Sequence, residues 1–348
     1  MRAMILKELR QLRHDRRTLA MMIVLPLLLL VVFGYAASFD VKSIPSAVVG
    51  PGAEDTAGRL PEAFSVEITE PADGRPQGVD LLRRGEVDVA FVTGSRPTVL
   101  IDGVDLFSAQ AALRILGAAP GAAPKTKVLF NLGLETSAIM VPALAGLILV
   151  FVGTLITSLG VVRERQAGTL ELLAVMPLRP RDVFVGKIAP YFLVAGGDLA
   201  VILVVGTWLF DVPFRGSVAV LTLGAALFLF VTLGLGVLVS SVSENQGQAI
   251  QLAIMTMVPQ VLLSGMIFPV ESMAAGVRWI SYLLPLTYFN QIARGVMLRD
   301  APLDSLAFPF AMLAVLGVAT FGLAVLRFRR DLAPSPRERV PEAAGAAA

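Results

Sequence analysis

Six stretches of this chain hold too many consecutive apolar residues for a fold surrounded by water: 19–38, 138–162, 188–210, 217–240, 248–268 and 305–327. A hydrocarbon core of about 30 Å takes about 20 helical residues to cross, and a helix is the simplest structure that satisfies its own backbone there. Composition agrees, because only 16% of the residues are charged where a soluble domain has roughly 25%. The sequence predicts a mainly α, polytopic membrane protein with six transmembrane helices.

Charge placement orients it. Arg2, Lys7, Arg10, Arg13, Arg16 and Arg17 precede the first run. Arg163, Arg165, Arg179, Arg181 and Lys187 lie between the second and third, and Arg327, Arg329, Arg330, Arg337 and Arg339 follow the sixth. The short connections of the other side carry Arg215, Arg278, Arg294 and Arg299. The positive-inside rule then puts both termini and loop 163–187 in the cytoplasm. Residues 1–18 alternate an apolar face (Met1, Ile5, Leu9, Leu12) with a basic one, the pattern of an interfacial helix. The run from 19 to 38 exceeds a cleavable signal core and is expected to stay as the first span.

Residues 39–136 differ in kind. Between Asp40 and Leu134 there are twelve acidic and nine basic residues and no run that could span. "SAVVG", "FSVEIT", "VDVAFV" and "TVLID" read as strands, with helical pieces near Val79–Arg84 and Leu106–Leu116. A small α/β extracytoplasmic domain inserted between spans one and two is expected. After Pro269, "SMAAGVRWISYLL" and "LTYFNQIARGVML" are too short to cross and break at Pro285, which predicts a re-entrant pair within 269–300. Trp279, Tyr282 and Tyr288 suit a headgroup-level belt. The tail 331–348 is too poor in large apolar residues to pack.

No phosphate-binding loop, zinc helix, nucleophile elbow, dinucleotide turn or calcium loop occurs, and with no cysteine and one histidine, His14, the usual metal and redox chemistries lack their residues. No catalytic or metal site is expected. The loop "RERQAGTLELLAVMPLRPRDVFVGK" is more specific. Gly168 weakens a continuous helix by about 1 kcal/mol relative to alanine, so span two should end near Arg165. A short helix from Thr169 to Met176 follows, stopped by Pro177, and a helix restarts near Pro180. That short crosswise helix shows Leu170, Leu172, Leu173 and Met176 beside Glu171, a surface suited to a groove on a cytosolic partner. The plainer alternative is a basic connector that serves topology alone.

This loop, followed by "LSGMIFPVESM", "YLLPLTYF" and "RGVMLRD" and preceded by "LLRRGEVDVAFV" and "TVLIDGVD", resembles the type-2 permease subunits of bacterial ATP-binding-cassette exporters, in the branch with a large outer domain. The resemblance implies that 163–187 is the coupling helix, with Arg163, Glu164, Arg165, Gly168, Thr169, Glu171, Leu172 and Met176 meeting a cytosolic ATPase subunit. It implies no cofactor on this chain, ATP and magnesium residing in the partner. It also implies a second permease copy, identical or related. A periplasmic adaptor protein and membrane lipids fit the same reading, a nucleic acid does not, and the expected place is the bacterial inner membrane.

Within the spans, Asp198 stands beside Gly196 and Gly197, and a mid-membrane carboxylate costs about 2.5–3.5 kcal/mol on insertion scales. Asp198, Gln248 and Gln251 are candidates for a translocation path, and equally for structural hydrogen bonds between helices. Gly146, Gly153 and Gly160 recur every seventh residue and predict one close-packing seam. The substrate expected is hydrophobic or amphipathic, drug-like or lipid-like, because the spans offer few charges. Two other readings stand beside export. A secondary transporter or channel would need several intramembrane ionisable groups, where only Asp198 and, at an edge, Glu135 are present. An envelope-anchored binding protein would need one anchor rather than six spans.

Overall fold

The computed structural model describes residues 43–72, 74–118, 125–168 and 180–331, with Ala20, Val24 and Leu27 of the first apolar run. The amphipathic stretch 1–18, most of the first span, residues 169–179 of the loop and the tail from 332 lie outside the described residues.

The elements of the first part are β1 (Ile44–Val49), α1 (Ala53–Ala57), β2 (Phe64–Glu70), α2 (Arg75–Arg84), β3 (Val89–Val92), β4 (Thr98–Asp102), α3 (Leu106–Ala118) and β5 (Lys125–Leu129). The strands form one sheet in the order β2-β1-β3-β4-β5, parallel except for the β3–β4 pair. Strand side chains alternate between faces, and here both faces are covered. Ile44, Val48, Val89, Phe91 and Ile101 pack with Ala109 and Ala112 of α3, while Ala47, Val49, Ala90 and Leu100 pack with Leu81 and Leu82 of α2. A sheet buried on both sides reads as near-continuous apolar runs, which is why its central strands stand out in the sequence. Strand β5 does not. Lys125 and Lys127 are exposed on this edge, where lysine discourages pairing with another chain but erases the apolar signature.

The second part is helical. Helix α4 (Thr136–Gln166) is followed by α5 (Pro180–Leu209), α6 (Val218–Val242), α7 (Gln246–Leu263), α8 (Ala275–Ser281), α9 (Pro285–Arg294) and α10 (Ala307–Asp331). Four described helices are long and apolar enough to cross a membrane, over Thr136–Gln166, Ala189–Leu209, Val218–Val242 and Ala307–Arg327. Helix α7 is not among them. It ends at Leu263, short of the expected 268, because Gly265 turns the chain with a φ of 78° and sends Phe268 and Val270 into a local core. Its glutamines also lower its hydropathy.

Helix α9 occupies the interior rather than a rim. Leu286, Tyr288, Phe289 and Ile292 are buried, Phe289 stacks on Phe228 of α6 at 4.7 Å, and the Tyr288 hydroxyl donates to the Tyr282 carbonyl at 2.7 Å. Tyr288 is therefore a core residue and not part of an interfacial belt; Trp279 and Tyr282 are the exposed pair. Its phenol finds an internal acceptor, which is what lets so large a polar-tipped ring be buried.

The three glycines of α4 make three separate approaches instead of one seam. A Cβ on Gly146 would press on Leu286 and Phe289 of α9, one on Gly153 would strike Thr232 of α6, and one on Gly160 would meet the Tyr191 hydroxyl of α5. The reason is a six-residue π-helical stretch, Phe151–Ile156, inside α4. Its wider turns shift the angular phase, so a seven-residue repeat no longer marks one face.

Candidate functional site

Among the described residues, two places concentrate polar side chains. The first is the end of α4. Helix α4 starts where the sheet ends and runs 31 residues, about 46 Å at 1.5 Å per residue, so the sheet and the loop after Gln166 sit at its opposite ends. The helix stops as its glycine requires. Ala167 N–H donates to the Arg163 carbonyl at 2.9 Å, Gly168 N–H to that of Arg165 at 3.1 Å, and Gly168 takes a left-handed φ of 71°. Arg165 donates from Nη1 to the carbonyls of Ser240 and Ser243, at 3.1 and 3.2 Å, at the C-terminal end of α6. Arg163 Nε donates to Gln246 Oε1 at 3.2 Å, and Gln246 Nε2 to Gln166 Oε1 at 2.9 Å. These bonds tie the start of the loop to the α6–α7 turn. Glu164 lies half-buried beside them, whereas Thr169, Glu171, Leu172 and Met176 lie outside the described residues.

The path candidates are not gathered. Gln248 is buried at the first turn of α7, where its Oε1 accepts from Glu244 N–H at 3.0 Å and its own N–H donates to the Asn245 cap at 2.9 Å. That is a helix-start arrangement. Gln251 and Asp198 are half-buried on α7 and α5. Among the described residues no hydrogen bond or ion pair joins Asp198 to either glutamine.

The second place is the joint between the sheet and the helices, and no local pattern announces it. Arg299, in the π-helical turn Gly295–Arg299 that continues α9, donates to Asp102 at the end of β4, Nε at 2.7 Å and Nη2 at 2.5 Å. Asp102 is fully buried and also accepts from Val104 N–H at 2.8 Å. Arg83 pairs with Asp300, and Arg84 bridges Asp80 at 2.7 Å and Asp304 at 2.5 Å. Asn131 binds the Gly103 and Glu135 carbonyls through Nδ2 and the Glu135 N–H through Oδ1, linking β4 and β5 to the start of α4. The stretches "LLRRG", "TVLIDGVD" and "RGVMLRD", far apart in sequence, thus meet here.

Burial dominates the electrostatics of the joint. It pushes the Asp102 carboxyl above its ordinary range despite the guanidinium beside it. Asp88 is held well above its ordinary range by burial first, then by Asp105 and Asp102, with the Ser108 hydroxyl and Arg299 opposing. Asp88 binds its proton more tightly folded than unfolded, so stability falls as pH rises from about 3.9, the unfolded value, through the raised one. Asp88→Asn is expected to raise the thermal midpoint at neutral pH, and the gap from the parent to close in acid. A melting series across pH checks both.

Helices of this length and apolarity, with a covered α/β sheet docked on one end, define a multi-pass membrane protein. Residues 16–326 match the family described as ABC-2 family transporter protein, and the chain belongs to that family. It is 28% identical to the probable multidrug ABC transporter permease YbhR of Escherichia coli over 360 aligned positions, covering 94% of this chain and 98% of the relative. The inner membrane transport permease YhhJ of Escherichia coli is 34% identical over 180 positions, 51% of this chain and 48% of its own. ABC transporter G family member 20 of Dictyostelium discoideum shares 28% over 166 positions, 48% of this chain and 23% of its own.

Proposed function

We propose that the chain is the permease subunit of an exporter powered by a separate cytosolic ATPase subunit. It moves hydrophobic or amphipathic molecules outward and pairs with a second permease, identical or related. ATP and magnesium belong to the ATPase; this chain supplies the surface 163–187. The observation that carries the reading is similarity along nearly the whole length to a relative named as a multidrug permease, in a sequence with no phosphate-binding loop of its own.

The geometry gives the reading a mechanical form. Loop 163–187 faces the cytoplasm with both termini, and the sheet lies outside. A push on the loop reaches α4 directly. It reaches α6 and α7 through Arg165 and Gln246, which hold the α6–α7 turn. Asp198 and Gln251 border the path that these helices open, with Gln248 at its inner end.

The test is co-purification of an ATPase subunit with Glu171→Lys and with Arg165→Glu. Each is expected to lower recovery about tenfold, equivalent to about 1.4 kcal/mol, with the chain still inserted in the membrane. Unchanged co-purification and transport would remove the coupling assignment.

A further inference from the structure

Helix α4 carries its π-helical stretch, Phe151–Ile156, in the middle of a span. Such a stretch closes i→i+5 bonds, and single wide turns of this kind gather at functional sites. The exposure pattern shows the same turn. Phe151 and Ile156 are its exposed pair, five residues apart, where a regular helix returns to one face after three or four.

A wide turn holds about one residue more than the regular turn it replaces, so closing it would rotate everything beyond Ile156 by about 100° and advance it by about 1.5 Å. Each residue past the stretch would then take the place that its successor holds now. The sequence accepts that exchange. The buried places of the inner half belong to Thr157, Ser158, Val161 and Val162. Ile156 would replace Thr157, both β-branched, Thr157 would bring a hydroxyl to the place of Ser158, and Val161 would replace Val162. Bulk is lost only where Gly160 takes the place of Val161. The closed register also brings Gly146, Gly153 and Gly160 to within about 40° of one face, at about 20° of drift per heptad, and so restores the seam that their spacing predicts.

The observed register leaves Thr157 Oγ1 buried without a partner, although buried polar groups nearly always find one. Arg165 holds it in place by donating to the Ser240 and Ser243 carbonyls at the end of α6. The shift would bring Glu164 to that position, a carboxylate against the negative end of a helix dipole.

We propose that α4 is a two-register helix: the turn at Phe151–Ile156 closes and reopens, moving the inner half by one residue against α6 while the outer half stays packed on α9, with Arg165 as the catch. The proposal rests on the export reading only for what drives the change; the two registers need neither ATP nor partner. A fixed wide turn that fits Gly153 past Thr232 is the competing account.

The chain has no cysteine, so one introduced thiol reports alone. Val162 is buried and would take the exposed place of Arg163, whereas Val161 passes from one buried place to another. The experiment follows maleimide labelling of Val162→Cys and of Val161→Cys in the purified full chain in phosphatidylcholine nanodiscs. Because labelling follows the population of the exposed register, Val162→Cys is expected to react at least about tenfold faster than Val161→Cys, and the ratio to grow about tenfold again with Arg165→Ala. Fraying of the helix end would instead expose both positions alike. Deleting Ile156 leaves a regular α4 whose inner half keeps its present contacts. That variant should keep the parent's thermal midpoint and label Val162→Cys no faster than Val161→Cys; if it fails to fold, the Arg165→Ala comparison decides. Equal rates at the two positions with and without Arg165→Ala would overturn the proposal, as would fast labelling that survives the deletion in a folded chain. Loss of ATPase co-purification with this labelling pattern intact would sink the export reading and leave the two registers standing.

Discussion

Arg299→Met is expected to destabilise the protein by about 3–5 kcal/mol, the usual cost of removing one partner from a buried ion pair. Asp102 has no solvent contact, and methionine fills much of the space without neutralising it. The stranded carboxylate then takes up a proton more readily still, so the loss should be largest at neutral or higher pH and shrink in acid. Asp102→Asn in the same background should restore most of the stability, since the amide can still accept from Val104 N–H. The measurement is thermal unfolding of the two single variants and the double variant, read as a cycle. Arg83→Met is the comparison. Its pair with Asp300 is 42% and 46% exposed, and exposed pairs contribute about 1 kcal/mol or less. Equal losses for Arg83→Met and Arg299→Met would mean that burial does not set the strength of this joint.

The joint also shows what the sequence could and could not disclose. Strands β1, β3 and β4 fall on near-continuous apolar stretches because a sheet covered on both faces shows little alternation, whereas β2, at an edge, alternates apolar with polar residues. Strand β5 and its lysines leave neither pattern. The end of α4 follows from Gly168, a local backbone requirement. By contrast, Arg299 and Asp102 are 197 residues apart, and pairing at that range has no local signature. Counted by position, Arg294 and Arg299 look like ordinary loop charges; in space Arg294 donates to the Met266 carbonyl and Arg299 holds the joint. Tyr288 illustrates the same limit. An aromatic near an interface is ordinary, and only the hydroxyl's reach to the Tyr282 carbonyl turns it into core. Gln248, a path candidate by its place in an apolar run, also bonds at the start of α7, a local role that the run does not show.

These particulars connect the two ends of the molecule. At one end, the turn after α9 is fastened to the sheet by Arg299; at the other, the end of α6 is fastened to the head of the loop by Arg165, and α7 by Gln246 with Arg163 and Gln166. Helices α6 and α9 are in direct contact through the stacked Phe228 and Phe289 rings. A displacement of the loop therefore has a continuous packed route to the sheet, and the close approach of α4 to α6 at Gly153 lies on it.

That contact is where a single methyl group should do the most damage. A Cβ on Gly153 would lie 2.0 Å from Thr232 Oγ1 and 2.6 Å from Thr232 Cβ, with the Thr232 backbone carbon 3.2 Å away. Across the same interface, a Cβ on Gly236 would lie 2.6 Å from the Gly153 carbonyl oxygen. Neither helix can yield without moving backbone, and overpacking of this kind costs about 1–3 kcal/mol, occasionally more. Gly153→Ala is therefore expected to lower both the membrane level and the thermal midpoint of the chain. Gly160→Ala provides the contrast, because its Cβ would meet only the Tyr191 hydroxyl, at 2.4 Å, with the ring carbon behind it at 3.6 Å. That tip can swing aside, so Gly160→Ala should remain close to the parent. If the two variants behaved alike, the close approach of α4 to α6 at Gly153 would not be the constraint that the geometry makes it.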